Sequence, residues 1–517
     1  MRNAKRVIGS AAVAGVLLLA AAPAGAAELT GLSGLVRVYD AILDARFADA
    51  QTELKRACGG SAAAAPPEAC DVLAATATWW RILIDPNSRA LDARFSAEVE
   101  RAIRSTEDST EREPKSAEAH FYVGGAYAAR VQWRVLRDEK VAAARDGKRI
   151  KQALERAIAL DPELDDAYFG IGMYQYYADV APAAAKVLRF LLLLPGGDKT
   201  EGLAQMRRAR TRGKLLQGEA DYQLHILYLW YEKRADLAAD LLDSLADRYP
   251  GNPLFRAQLA DVQDRYEHDI NASLATWRGL LAAARDGRVN EPEVAAAQAR
   301  LGIARQLEAL QQTDQALEHL RALLVDKPSR PSGAIAAGYL ALGEAEDRLG
   351  HRDAAVSAYQ LAMQTAPSPD HDGIRRRAGE RLRRAPDPQR AEAYRLSLEG
   401  WRRLEKSDED GAESLLARSL TLNPSDPVAR YRYARVLLAN KDDEQALAEL
   451  DAAIRGARDA PGPIAASAYY EAARIHERLG HTEPAIACYR AALSWFGGSS
   501  ETRSAATRAL SRLRAVK

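Results

Sequence analysis

The sequence has little of several features that mark specialised classes of protein. Its 517 residues include 3 cysteines, and aromatic residues make up 7% of the chain. Lys and Arg total 72 against 71 Asp and Glu, which gives a formal net charge of +1. Because no overall field gathers polyanions, we expect no nucleic-acid partner. With 47% hydrophobic residues, the chain is predicted to be globular rather than disordered or collagen-like.

Catalytic and metal-binding motifs are also missing. The sequence holds no HExxH, GxSxG or CxxC pattern. Residues 196–200 read GGDKT, which lacks the Gly before Lys that a phosphate-binding loop needs. Asp370-His371-Asp372 lies among Pro and Gly and indicates a solvated turn. We therefore predict no catalytic residue, no metal site and no cofactor. The alternative is an enzyme, or an enzyme accessory, whose site is not visible as a motif.

Residues 1–26 have the pattern of a signal peptide. Arg2, Lys5 and Arg6 precede an uncharged apolar run, and small residues follow it up to Ala26. Cleavage after Ala26 would place the mature chain in the periplasm or outside the cell, with 69 basic residues against 71 acidic ones. Retention of the segment as a membrane anchor is the alternative. No later segment is an apolar stretch of about twenty residues, so nothing else is predicted to span a bilayer.

The export prediction gives the cysteines a role. Cys58 and Cys70 flank a stretch rich in Gly, Ala and Pro that indicates a turn between two helices. In an oxidising compartment we expect a Cys58–Cys70 disulfide, although two separate half-buried thiols are the alternative. Cys488 stands alone beside Tyr489 and is predicted to be a buried filler rather than a nucleophile.

A repeated pattern organises the rest of the chain. Tyr339, Gly343, Ala355, Tyr359 and Ala362 are matched 130 positions later by Tyr469, Ala473, Ala485, Tyr489 and Ala492. The pattern resembles the tetratricopeptide repeat, a helical hairpin of about 34 residues. Its small residues let the two helices approach closely, and a closing Pro stops the second helix. Further units are indicated by Tyr222, Ala238 and Pro250; by Ala304, Ala316 and Pro328; by Gly400, Ala412 and Pro424; and by Ala434, Ala446 and Ala453.

Two early units are longer than the repeat allows. After His120, Gly124 and Tyr127, the second-helix residues Leu154 and Ala157 come about fourteen positions late, close to four helical turns. In the next unit, residues 179–199 separate Gly172 from Gly202. Residues 117–253 resemble the tetratricopeptide family of the yeast inclusion-body clearance protein and its animal relatives. The resemblance is carried by Gly170-x-Gly172-x-Tyr174, Ala181-Pro182, the run 187–194, Gly197-Asp198 and Gly202-Leu203. It implies the fold and no catalytic residues.

These patterns predict an all-α protein, an α-solenoid in the form of a right-handed superhelix of helical hairpins, with two repeat blocks and a capping helix. The predicted organisation is a signal peptide at 1–26, N-terminal helical hairpins at 27–116, a repeat block with two extended units at 117–285, a repeat pair at 292–367, an Arg-rich linker at 368–390, a second repeat block at 391–497 and a capping helix at 501–517.

A groove is the predicted binding surface. In this family, fixed positions of the first helix of each hairpin line the concave wall. The late units then contribute Trp401, Tyr431, Arg435, Tyr470, Arg474 and Arg478, a mixed Arg and Tyr wall of the kind enriched at protein interfaces. The early units contribute an aromatic patch that belongs either to the binding site or to the hydrophobic core: Trp230, Tyr231, Phe169, Tyr176 and Tyr177.

We therefore predict an exported scaffold or adaptor that binds a protein or peptide in its concave groove and performs no catalysis. A membrane-associated envelope organiser is the second hypothesis, because the run 187–194 or the Arg-rich residues 375–384 could touch lipid without spanning it. For that Arg run, a solvated helical connector is the alternative. Composition indicates neither the partner nor the oligomeric state.

Overall fold

A computed structural model describes residues 28–59, 64–181 and 196–515. Within these ranges the regular structure is helical, with a single short 3-10 turn at Ala457–Asp459 and no strand. The predicted insertion 187–194 and the signal segment lie outside the described residues. The protein is an α-solenoid, as the repeat pattern predicts.

The helices of its first half are α1 (Leu32–Leu43), α2 (Phe47–Ala57), α3 (Pro67–Ile84), α4 (Asp92–Arg112), α5 (Ala117–Leu136), α6 (Lys140–Leu160), α7 (Ala167–Val180), α8 (Lys199–Arg212), α9 (Gln217–Trp230), α10 (Ala235–Arg248), α11 (Pro253–Arg265) and α12 (Ile270–Arg285).

The second half continues the same arrangement of antiparallel hairpins. Its helices often begin after a side-chain cap: Asp408, Asp426 and Asp442 each accept a hydrogen bond from a backbone N–H of the first turn. The helices are α13 (Pro292–Ala309), α14 (Thr313–Asp326), α15 (Ala334–Arg348), α16 (Arg352–Thr365), α17 (Ile374–Arg383), α18 (Pro388–Glu405), α19 (Glu409–Leu422), α20 (Pro427–Ala439), α21 (Asp443–Arg455), α22 (Gly462–Arg478), α23 (Thr482–Ser494) and α24 (Ser500–Ala515).

Small residues stand where the hairpin helices approach each other. Ala434 of α20 and Ala446 of α21 are fully buried, and both belong to one predicted unit. In the second extended unit, a Cβ on Gly172 of α7 would lie 2.7 Å from the carbonyl oxygen of Gly202 on α8. Only glycine allows the two backbones to come so close. The first extended unit is accommodated by two long helices, α5 with 20 residues and α6 with 21.

The structure shows how three joints between the predicted segments are built. Residues 106–112, before the first repeat block, complete α4, and Thr106 and Ser109 are buried on its inner face. At 285–292, α12 and α13 share one core, in which Trp277 occupies the space that a side chain at Gly302 would need. The predicted Arg-rich linker at 368–390 contains α17, whose Ile374 is buried against α15 and α16.

The N-terminal helices α1 and α3 fill the inner face of the early repeats. Helix α3 packs on α5, α9 and α11, which are the first helices of their hairpins. Trp80 of α3 is fully buried, with its ring centroid 4.9 Å from that of Tyr222 and 5.9 Å from that of Phe255. First helices line the concave wall in this fold, so the early part of the groove is occupied by the chain itself.

Successive turns of the solenoid also touch each other. The backbone N–H of Gly251 donates to Asp44 at 2.7 Å, and that of Ser332 donates to Asp85 at 2.9 Å. At the C-terminal end, Phe496 packs against His268 with ring centroids 4.4 Å apart and ring planes tilted by 48°. The hydrogen-bonded residues are 207 and 247 positions apart. These contacts join the ends of hairpins that are remote in sequence.

Cys58 and Cys70 are joined by a disulfide between α2 and α3, with their Cα atoms 6.3 Å apart. The bond closes the turn that the sequence predicts. Cys488 is free and partly buried between the last hairpins, and burial raises the pKa of its thiol. In the described part of the chain, no helix is both long and apolar enough to cross a bilayer.

Replacing Trp80 tests whether α3 is part of the core. Trp80→Ala removes a fully buried ring, so we expect the free energy of unfolding to fall by about 3–5 kcal/mol. Trp230→Ala is the matched control because Trp230 is 58% exposed, and it should change stability by about 0.5 kcal/mol or less. Urea unfolding followed by circular dichroism measures both. Equal effects of the two substitutions would show that α3 is not docked.

The disulfide predicts a redox-dependent stability. Mass spectrometry of the unreduced protein should show a Cys58–Cys70 cross-linked peptide and one free thiol, Cys488. Reduction should lower the free energy of unfolding by about 3 kcal/mol, since the cross-link limits the unfolded chain. The Cys58→Ser/Cys70→Ser variant should lose this dependence on reductant, whereas Cys488→Ser should retain it. Free thiols at both Cys58 and Cys70 would refute the pairing.

Candidate partner-binding groove

The early aromatic patch is divided between core and surface. Phe169 and Tyr176 are buried, whereas Trp230 and Tyr231 are 58% and 41% exposed. Tyr176, Tyr177 and Tyr231 form a triad with ring centroids 5.6 to 5.9 Å apart and nearly perpendicular planes, a favourable edge-to-face arrangement. The triad places the Tyr231 ring against the core, so Trp230 is the most exposed member of the patch.

Buried polar groups support this part of the solenoid. The Glu219 carboxylate of α9 accepts hydrogen bonds from Tyr39 Oη at 2.9 Å and Trp80 Nε1 at 3.1 Å. Burial raises the pKa of Glu219. Nearby on the same helix, burial lowers the pKa of His225 to about 4, and its Nδ1 has no hydrogen-bond partner among the described residues. The polar groups on the early inner face are therefore shielded from solvent by the surrounding helices.

Four of the six predicted late-groove residues belong to one connected surface on α20, α21 and α22. Arg435 donates to Tyr431 Oη at 3.3 Å and lies 3.8 Å from Glu471. Arg474 pairs with the other oxygen of the same carboxylate at 3.0 Å. Arg478 makes two hydrogen bonds to Asp443, at 2.6 and 2.8 Å. We call the surface formed by Tyr431, Arg435, Glu471 and Arg474, with the neighbouring pair Asp443 and Arg478, the late Arg surface.

The exposure of these side chains differs from residue to residue. The Arg435, Arg474 and Arg478 side chains are 39%, 49% and 44% exposed. Tyr431 is only 8% exposed, so it supports Arg435 rather than offering a free ring. The remaining two predicted residues are partly exposed: Trp401 of α18, and Tyr470, which stacks on Tyr489.

Charge is unevenly balanced across the late Arg surface. Hydrogen bonds from Arg478 lower the pKa of Asp443, so that pair is neutral. Arg435 and Arg474, in contrast, share the single carboxylate of Glu471. Each guanidinium group has five N–H donors, and one carboxylate cannot satisfy both groups. Arg435, Arg474 and Glu471 together carry one net positive charge and keep unused donors, and Glu477, on the same helix as Arg474, is a further carboxylate within its electrostatic reach.

The sequence did not indicate how the late block is attached. Arg402 makes two hydrogen bonds to Asp314 at the start of α14, at 2.6 and 2.8 Å. The buried Arg432 donates to the carbonyl oxygen of Gln311 at 2.7 Å. These contacts fix α18 and α20 to the turn between α13 and α14. The repeat pattern assigns no role to these two arginines, because only the fold shows that a neighbouring turn contacts them.

The other candidate motifs have structural roles. Asp198 of the GGDKT segment caps α8 by accepting hydrogen bonds from the N–H groups of Thr200 and Glu201. Asp370, in the turn before α17, accepts hydrogen bonds from the backbone N–H groups of Ile374 and Arg375 at the start of that helix. In the Arg run, Arg375 binds the carbonyl oxygens of Ala366 and Pro367, and Arg381 pairs with Glu344. No group of three metal-ligating side chains is found among the described residues.

The hairpins, the small residues at their crossings and the mixed wall define an all-helical repeat protein of the interaction-scaffold class. Two tetratricopeptide repeat family models match the sequence, at residues 403–462 and 466–496. The chain is a tetratricopeptide repeat protein. Such repeats form extended surfaces that bind protein partners. The two matches span the helices that carry the late Arg surface. The narrower resemblance of residues 117–253 to the clearance-protein family stays a prediction.

Solved structures with similar folds are distant. Human IFIT1, solved as a dimer with m7Gppp-AAAA, is 13% identical, with a TM-score of 0.32 over 79% of this chain and 78% of that one. The TPR2AB domain of yeast Sti1, in a complex with pHSP90, is 14% identical, with a TM-score of 0.23 over 57% and 96%. A tetratricopeptide repeat protein from Parabacteroides merdae is 16% identical, with a TM-score of 0.26 over 57% and 98%. At these values the likeness indicates no partner. No curated protein sequence matches the chain.

The buried histidine of α9 predicts a pH-dependent stability. Because the folded-state pKa of His225 is about 4 and the unfolded value is about 6.5, the unfolded chain takes up the proton first. The contribution of His225 to the free energy of unfolding is fully present above pH 6.5. It is lost as the pH falls towards 4, by about 3 kcal/mol in all. Urea unfolding of the wild type and His225→Leu should show this loss as a pH-dependent difference. A difference that is constant from pH 7.5 to 4.5 would contradict the burial of His225.

Proposed function

We propose that this protein is an exported scaffold that binds a protein or peptide partner on the late Arg surface. The observation that supports this proposal is the difference between the early and the late inner face of the solenoid. The early face is filled by α1 and α3, whereas Arg435 and Arg474 are half-exposed and share one carboxylate. Unused guanidinium donors on a fixed surface favour a partner segment that brings carboxylate or carbonyl oxygens.

Export is the second part of the proposal. It is supported by the signal-peptide pattern of residues 1–26 and by the disulfide between Cys58 and Cys70, a bond that persists in oxidising compartments. Together these features favour the periplasm or the extracellular space. The membrane-associated and enzymatic alternatives stay predictions, and no observation on the described residues favours either over the scaffold.

Charge reversal of the late Arg surface tests the scaffold. Mature wild-type protein, tagged at its C-terminus, is used to capture partners from an envelope fraction, and stoichiometric partners are identified by mass spectrometry. The Arg435→Glu/Arg474→Glu/Arg478→Glu variant should lose such a partner, with at least a tenfold drop in recovery, because the reversed charges repel an acidic segment.

A matched control separates this effect from a general change of charge. Arg234, Arg288 and Arg395 are exposed and pair with nearby carboxylates outside the late Arg surface. Reversal of these three residues changes the net charge equally and should leave recovery unchanged. If the late-surface variant retains every partner while its helical content is intact, the proposed surface is wrong.

A further inference from the structure

A cavity lies where α3 meets the first helices of the early repeats, away from the late Arg surface. Its volume is about 80 Å³, several times the space that one water molecule needs. Five aromatic side chains contribute to its wall. They are Tyr39, Trp79, Phe121, Tyr122 and Phe169.

Three glycines, Gly124, Gly125 and Gly170, line the cavity. A Cβ on Gly124 or Gly170 would lie 2.5 Å from Leu154, so these two glycines make room for that side chain. A Cβ on Gly125 would have one neighbour within 4 Å, Val72 Cγ1 of α3 at 3.3 Å, and Val72 would have to shift by a few tenths of an ångström to admit it. Beyond this contact Gly125 borders the cavity, so a larger side chain at this position would project into it.

Two buried carboxyl groups face the same cavity. Glu219 and Asp166 also line it, and each is only 4% exposed. One oxygen of Glu219 accepts hydrogen bonds from Tyr39 and Trp80, and the other accepts one from Gln223 at 3.2 Å. The Gln132 amide also interacts with this carboxyl. All of these partners are neutral, so they provide no charge to balance that of Glu219.

No cation balances these two carboxyls. The lining residues include no Lys, Arg or His. Within the described ranges, neither Glu219 nor Asp166 takes part in an ion pair, and the hydrogen bonds to Asp166 come from the backbone N–H groups of residues 214–216. Burial raises the pKa of both carboxyl groups. A bound cation would offset the cost of keeping them ionised.

We propose that this cavity binds a small organic ammonium cation, with Glu219 as its carboxyl partner and the aromatic side chains as its walls. Aromatic faces attract an ammonium group, and the attraction grows when water is excluded. Hard metal ions fit poorly because they need six or more oxygen ligands, whereas the wall is mostly apolar. The volume suits a compact cation of a few heavy atoms. This site goes beyond the proposed scaffold and does not depend on it.

Binding of n-butylammonium tests the proposal, with n-butanol as the neutral probe of similar size. Isothermal titration of the mature protein should show at least tenfold tighter binding of n-butylammonium than of n-butanol. Glu219→Gln should weaken the binding of n-butylammonium at least tenfold, because it removes the negative charge and keeps the shape of the side chain. The surface variant Asp286→Asn, which removes an exposed carboxylate paired with Arg288, should bind as the wild type does.

Gly125→Leu is the second variant because it fills the cavity and keeps both carboxyls. It should abolish binding of n-butylammonium while circular dichroism shows an unchanged helical content. If Glu219→Gln does not fold, Gly125→Leu and the comparison of the two probes on the wild type decide the question. Equal affinity for the two probes, unchanged binding by Gly125→Leu, or no binding to the wild type would each overturn the proposal.

Discussion

The structure depends on the docking of α3 against the first helices of the early repeats. Trp80 is fully buried between Tyr222 and Phe255, and its indole N–H donates to Glu219. A solenoid of hairpins alone would expose this apolar face to water. When α3 is docked, this face becomes part of the hydrophobic core. The buried carboxyl of Glu219 then has the hydrogen bonds that a buried polar group needs.

This docking divides the inner surface of the solenoid into two parts. The early face is occupied by α1 and α3, with a small cavity beside α3. The late block is fixed through Arg402 to Asp314 and through Arg432 to the turn before α14. The second contact holds α20, the helix that carries Arg435, against the preceding block. A rigid surface with unused hydrogen-bond donors loses little conformational entropy when a partner binds.

The repeats could be predicted from the sequence because close helix crossings demand small residues at fixed spacing, as at Ala434 and Gly172. The contact between Trp80 and Glu219 could not be predicted from the sequence. These residues are 139 positions apart, and neither belongs to the repeated pattern. The late groove was predicted in part. Its positions follow the repeat, but the low exposure of Tyr431 and the pairing of Arg435 with Glu471 depend on how neighbouring hairpins meet.

Hydrogen exchange along α3 tests this account most directly. Amides of residues 67–84 should exchange as slowly as those of α9, residues 217–230, because both helices belong to the same core. The exposed turn at residues 385–387, where the Ala385 and Asp387 amides donate no hydrogen bond within the described ranges, provides the fast reference within the same sample. Exchange of α3 at the rate of that turn, with α9 still protected, would mean that α3 does not occupy the early face and would contradict the account.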